Sequence, residues 1–117
     1  MQVNIFQSYL VMFNFLDKCY DDTKNDTLGA LLGAFNPTLS DDNLPMDLAA
    51  WEDWSQCFQR FANEDKIDEK KIFNITMDFI YFYKNEFDFD LDWLLNEMKN
   101  GEQENNWIYA VEKVIHQ

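Results

Sequence analysis

The chain has 117 residues, 47% of them hydrophobic and 17% aromatic, and its 22 acids against 9 bases give a formal charge of −13. That length fits one domain, and that apolar supply feeds one hydrophobic core, which excludes a disordered chain. The acid excess repels nucleic-acid phosphates and anionic membranes, so direct binding to either is not expected, and it attracts basic protein surfaces instead.

Val3 to Tyr20 is predicted to be a helix. Val3, Phe6, Tyr9 or Leu10, Phe13, Leu16 and Tyr20 recur at steps of three and four, and the segment is apolar around much of its circumference, which places it centrally in the core. Asp21 to Asn25 reads as a polar break. Asp26 is expected to cap a short helix carrying Leu28, Leu31, Leu32 and Phe35. Gly29 and Gly33 lie four apart on one side of it, a spacing that suits close packing against a neighbour and offsets the intrinsic cost of helical glycine.

Asn36 to Met46, with Pro37, Pro45 and Ser40-Asp41-Asp42-Asn43, is predicted to be a loop. Asp47 then caps a helix to about Asn63 whose buried stripe is Trp51, Trp54, Phe58 and Phe61. Glu64 to Lys71 alternates in sign and reads as a solvated turn. Asp68 begins a helix to about Glu86 with Ile72, Ile75, Phe79, Phe82 and Tyr83 at helical spacing. A strand is the rival there, disfavoured by length and by the absence of Gly or Pro. Phe87 to Asn100 is expected to be helical, with Leu91, Leu94, Leu95 and Met98 inward and Gly101 as the stop. Glu104 to His116 is the last helix, carrying Trp107, Ile108, Val111, Val114 and Ile115. The expected fold is all-α: a single-domain bundle of five to six helices spanning residues 1–117.

Cys19 and Cys57 form no CxxC or Cys/His cluster and read as buried thiols of a reducing cytosol. The N-terminus lacks a basic region before an apolar run, so no signal peptide is expected. The longest apolar runs, Tyr9–Phe13 and Phe79–Tyr83, are too short to span a membrane. A cytoplasmic protein is therefore expected.

The chemistry of catalysis is sparse. The one histidine, His116, sits near the C-terminus, and neither cysteine has a partner base in sequence. Asp88-Phe89-Asp90-Leu91-Asp92 resembles the start of a calcium loop, but its sixth position is Trp93 rather than Gly and its twelfth is Lys99 rather than Glu. No catalytic residue, cofactor site or metal site is assigned, and the chain is expected not to be an enzyme.

The charge is segregated. Asp21 to Gln59 holds eight acids and one base, and Glu86 to Glu104 holds seven acids and one base; the remainder balances seven against seven. Solubility does not require such concentration, and crowding like charges destabilises the compact state. If the two segments share a face, they make a surface for a basic partner. The residues expected to contact it are Asp41, Asp42, Glu52, Asp53, Glu86, Asp88, Asp90, Asp92 and Trp93, with Phe87 and Phe89 flanking the last acidic run. Trp51 and Trp54 are expected to be core. Exposed aromatics leave a homodimer open.

Thr27-Leu28-Gly29-Ala30-Leu31-Leu32-Gly33, followed by Pro45-Met46-Asp47-Leu48-Ala49-Ala50-Trp51-Glu52-Asp53-Trp54, resembles a segment of small acidic helical bacterial immunity proteins of contact-dependent growth inhibition and related polymorphic toxin systems. The resemblance covers roughly Asp21 to Phe61. It implies binding to the toxin domain of a secreted effector, often a nuclease (RNase or DNase), whose basic groove an acidic inhibitor can occupy as a phosphate mimic. The matching residues are themselves structural in type, so no family binding residues are carried over. An acidic DNA mimic of the anti-restriction type, and a non-catalytic subunit of another assembly, are the alternatives.

Overall fold

A computed structural model describes residues 3–36, 48–61 and 67–115. They form α1 (Ile5–Thr23), α2 (Asp26–Phe35), α3 (Leu48–Gln59), α4 (Glu69–Phe87), α5 (Asp92–Lys99) and α6 (Glu104–Ile115), with no strand among the described residues. The expected all-α bundle is thus the fold, with six helices among the described residues. No helix of the described residues is long and apolar enough to cross a membrane.

α1 lies at the centre, as its apolar circumference predicts. It runs along α6 and also packs against α2, α3 and α4. Its start is fixed by a reciprocal capping box: the Gln7 N–H donates to Asn4 Oδ1 at 2.7 Å, and the Asn4 N–H donates to Gln7 Oε1 at 3.1 Å. The helix ends later than predicted. Asp21, Asp22 and Thr23 complete its last turn, and Lys24 closes it in the left-handed conformation with φ 53°. These polar residues stay helical because all are exposed and none has to be buried.

Asn25, not Asp26, caps α2: its side chain accepts from the Leu28 N–H at 3.1 Å. Asp26 is the first helical residue, where its charge suits the positive end of the helix dipole. Of the two glycines, Gly29 makes the close approach: a Cβ there would stand 3.0 Å from the Tyr20 ring. Gly33 faces open space, with nothing within 4 Å. Gly33→Ala is therefore expected to stabilise the protein by about 0.5–1 kcal/mol, through helix propensity and a less flexible unfolded chain, while Gly29→Ala brings no such gain. Paired urea titrations of the two variants check this.

In α3 the buried stripe is Ala50, Trp54 and Cys57, one and then two turns along; Trp51, Phe58 and Phe61 are only partly buried. The bulkiest residues of the predicted stripe are thus shared between core and surface. Asp47, proposed as its cap, lies outside the described residues.

α4 is a helix, not a strand. Asp68 caps it, accepting from the Lys71 N–H at 3.0 Å, and Ile72, Ile75, Thr76, Phe79, Ile80 and Tyr83 form its buried face. The cap's hydrogen bond holds the Asp68 carboxyl below its ordinary range. A depressed folded-state value means that this contribution is present above about pH 4 and fades as the pH falls through that range. In the Asp68→Asn variant, which keeps the cap and removes the charge, that part of the acid sensitivity is expected to disappear from a pH series of thermal melts.

The predicted helix from Phe87 to Asn100 is two pieces. Phe87 ends α4, Asp88 turns left-handed at φ 57°, and residues 89–91 lead non-helically into α5. Asp tolerates that conformation better than most residues. The alternation of Phe89 and Leu91 inward with Asp88 and Asp90 outward has a period of two rather than 3.6. α5 then stops as predicted at Gly101, φ 80°, in a Schellman motif: the Gly101 N–H bonds the Met98 carbonyl and the Glu102 N–H bonds the Glu97 carbonyl.

α6 forms as predicted, over Glu104–Ile115 of the described residues. Of its apolar residues, Trp107, Ala110 and Val111 are buried, Val114 and Ile115 are partly buried, and Ile108 is 45% exposed.

The core runs continuously from α1 to α6. Trp54 is its largest fully buried side chain. It packs edge-on against Tyr9 and Phe79, and its indole N–H donates to Ser8 Oγ at 3.0 Å. Ser8 in turn donates to the Ile5 carbonyl, so the buried hydroxyl is fully used.

Candidate partner-binding surface

The surface starts from Tyr83, on the last turns of α4. Its hydroxyl donates to Asp53 Oδ2 of α3 at 2.8 Å. Its ring meets Phe35 and Phe79 on the core side, and Phe82, Phe87 and Phe89 on the other. Tyr83 thus joins the two acidic segments, because Asp53 belongs to the first and Phe87 to Asp92 to the second.

Phe87 is the outermost member of this cluster. It is 54% exposed, although its ring touches those of Phe82, Tyr83 and Phe89. Glu86, Asp88 and Asp90 stand beside it in sequence, all exposed. The left-handed turn at Asp88 holds the aromatic and its acids at the end of α4. An exposed aromatic ring amid carboxylates is costly to hydrate and offers a basic partner both an apolar contact and charge.

Two cations border this group among the described residues: Arg60, which pairs with Asp78 and lines a hollow with Phe82 and Glu86, and Lys84. Lys84 Nζ lies 2.6 Å from Asp92 Oδ1 and 5.1 Å from the centre of the Tyr81 ring. The hydrogen bond to Asp92 raises the ammonium's pKa above its ordinary value. Lys84 ties the start of α5 to α4 across the intervening turn, and its ammonium is the partner of the Asp92 carboxylate.

The proposed contact residues therefore fall into groups. Glu86, Asp88 and Asp90 are exposed acids around Phe87. Asp53 and Asp92 are engaged by Tyr83 and Lys84. Glu52 is exposed on α3 beside Asp53. Asp41 and Asp42 lie outside the described residues. Trp93 is partly buried and packed on the core, and its indole nitrogen is buried with no hydrogen-bond partner among the described residues. Tyr83 and Lys84 were not legible as parts of this surface; the alternating Phe-Asp run from Phe87 was the signal for the rest.

The acidic segments also meet at the other end of α5. Gln103, buried, donates to Glu97 at 2.6 Å and accepts from the Cys19 thiol and from Asn106, which also donates to Asp22 at 3.0 Å. This network satisfies buried polar atoms and is structural. Burial, followed by lesser effects that include the neighbouring carboxylates, pushes the Cys19 thiol up to about 12 and the Cys57 thiol to about 11. Both thiols are thus protonated at neutral pH and poor nucleophiles. In a thiol-labelling assay both are expected to react at the rate of unfolding, not at that of a free surface cysteine.

Among the described residues no group of three or more His, Cys, Asp or Glu is placed to hold a metal ion. No family model, curated protein or solved structure matches this chain.

Proposed function

We propose that this chain is an immunity-type inhibitor: a protein that binds a cognate bacterial toxin domain in the cytoplasm and neutralises it. The target is a nuclease, an RNase in the first instance, and the chain covers its basic substrate groove with the acidic surface around Phe87. It acts by binding and performs no chemistry of its own. The observation that carries this reading is the meeting of the two acidic segments at Tyr83, beside an aromatic ring left exposed among carboxylates. A nuclease groove is lined with cations that recognise phosphates, so an array of carboxylates on a rigid helical frame is its electrostatic complement. The resemblance at Thr27–Gly33 and Pro45–Trp54 points to the same class of partner.

The test is to purify the chain with the toxin domain encoded by the adjacent upstream gene. A one-to-one association of protomers that abolishes RNA cleavage, and that weakens as salt rises from about 0.05 to about 0.5 M, is expected. An upstream gene for unrelated metabolism, or a complex indifferent to salt, would count against the reading.

A further inference from the structure

A second feature lies at the opposite end of α4. A hollow of about 520 Å³ opens between the starts of α4 and α6 and the end of α5. Its floor is apolar: Phe73, Met98 and Trp107, with the Phe73 and Trp107 rings edge-to-face at 5.0 Å. Its rim carries Glu69, Lys70, Lys99 and Glu104. These four charges sum to zero, whereas the chain as a whole carries −13.

Ile108 does not line the hollow but follows Trp107 of its floor in the chain, and it is 45% exposed although helical spacing marks it for the core. Glu104 on the rim and Ile108 are one turn apart on the same side of α6. An apolar knob and an apolar hollow therefore sit side by side on one patch. That is the arrangement an isologous two-fold interface needs, because each copy then offers its knob to the other's hollow. The charge pattern selects the same occupant. Two copies repel one another over most of their surface, and a patch holding two charges of each sign is where they can meet and pair them reciprocally.

We propose that this patch is a homodimer interface, in which Ile108 of each copy enters the Phe73–Met98–Trp107 hollow of the other. The interface leaves the acidic surface free: from Phe73 to Phe87 α4 rises roughly 20 Å, about two and a half Debye lengths at physiological salt. The dimer therefore presents two inhibitory surfaces, and a two-to-two complex with the toxin domain follows. The dimer does not depend on what the acidic surface binds.

Sedimentation equilibrium of the whole chain, from about 1 µM to about 1 mM and at about 0.05 and 0.5 M NaCl, tests this. A species of twice the 14.1 kDa chain mass is expected. It should strengthen with salt, because screening relieves the repulsion between two strongly negative bodies; this is the reverse of the salt response expected for the toxin complex. Ile108→Asp, which puts a carboxylate into an apolar hollow, should weaken the dimer by at least about a hundredfold. Lys70→Glu, which makes the rim net negative on both copies, should weaken it about tenfold. Circular dichroism confirms that each variant is folded, and both sites are exposed on helices, so one serves if the other fails. A chain that stays monomeric throughout overturns the proposal. So does a dimer indifferent to both substitutions, or one lost on Phe87→Ala, which would place the interface on the acidic surface.

Discussion

Replacing Glu86, Asp88 and Asp90 together by lysine is expected to slow association with a basic toxin domain by roughly two orders of magnitude at low salt, within the range that electrostatic steering supplies. The three acids are exposed, and their side chains take part in none of the hydrogen bonds or ion pairs described above, so the fold loses little. Lysine at position 88 must adopt φ near 57°, which Lys24 already does in this chain at φ 53°. Asp92 and Asp53 are left alone in this experiment. Reversing Asp92 would release Lys84 and loosen the α4–α5 turn, and reversing Asp53 would strip the Tyr83 hydroxyl of its acceptor, so either would confound binding with structure. Stopped-flow association rates over a salt series provide the check. Wild type and variant should converge as salt rises toward about 1 M, where the Debye length falls to about 3 Å. Phe87→Ala should act differently, leaving the association rate close to wild type and raising the dissociation rate, because an exposed ring buried on binding is a short-range contact. If the triple reversal left the association rate unchanged at low salt, the acidic surface would not be the site of encounter.

How much of this surface could be read from the sequence follows from what each signal measures. Charge counting found the two acidic segments, because charge is a property of composition and needs no fold. That the segments meet was not legible: the contact depends on α3 packing against α4, which brings Asp53 to Tyr83 across 30 positions of chain. Helix periodicity located α4 and α6 within a residue or two, since nineteen and twelve residues give it several turns to register. It failed over Phe87–Leu91, where a break of only a few residues hides between two helices and the cue is a short alternation with a period of two. It also does not distinguish Ile108, which is apolar and at helical spacing yet 45% exposed. Periodicity assigns a residue to a face of a helix; it does not say whether a neighbour covers that face. Gly29 and Gly33 make the same point, since their spacing is symmetrical and only Gly29 has the Tyr20 ring against it.

Trp51 and Trp54 carry the largest stability contrast. They are three residues apart on α3, are chemically identical, and share one pattern in the sequence. Trp54 is fully buried, bonded to Ser8 and packed against Tyr9 of α1 and Phe79 of α4, so it joins three helices. Trp51 is partly exposed and meets only Phe6 and Tyr9 of α1 among the ring contacts. Trp54→Ala is therefore expected to cost about 3–5 kcal/mol, from lost burial and the cavity left behind. That is a large share of the roughly 5–15 kcal/mol that holds a domain together. Trp51→Ala should cost about 1–2 kcal/mol, because solvent already reaches one side and no cavity is sealed in. Trp54→Phe separates the parts of the larger effect. It keeps an aromatic ring between Tyr9 and Phe79 but removes the donor to Ser8, whose hydroxyl still donates to the Ile5 carbonyl, so the lost bond is worth about 1 kcal/mol and the lost volume adds to it. Urea unfolding of the three variants should rank them Trp54→Ala, Trp54→Phe, Trp51→Ala from most to least destabilised if packing volume outweighs exposure, with slopes close to wild type. A Trp51→Ala cost equal to that of Trp54→Ala would mean that α3 is seated on the core through its outer tryptophan, contrary to the burial described here.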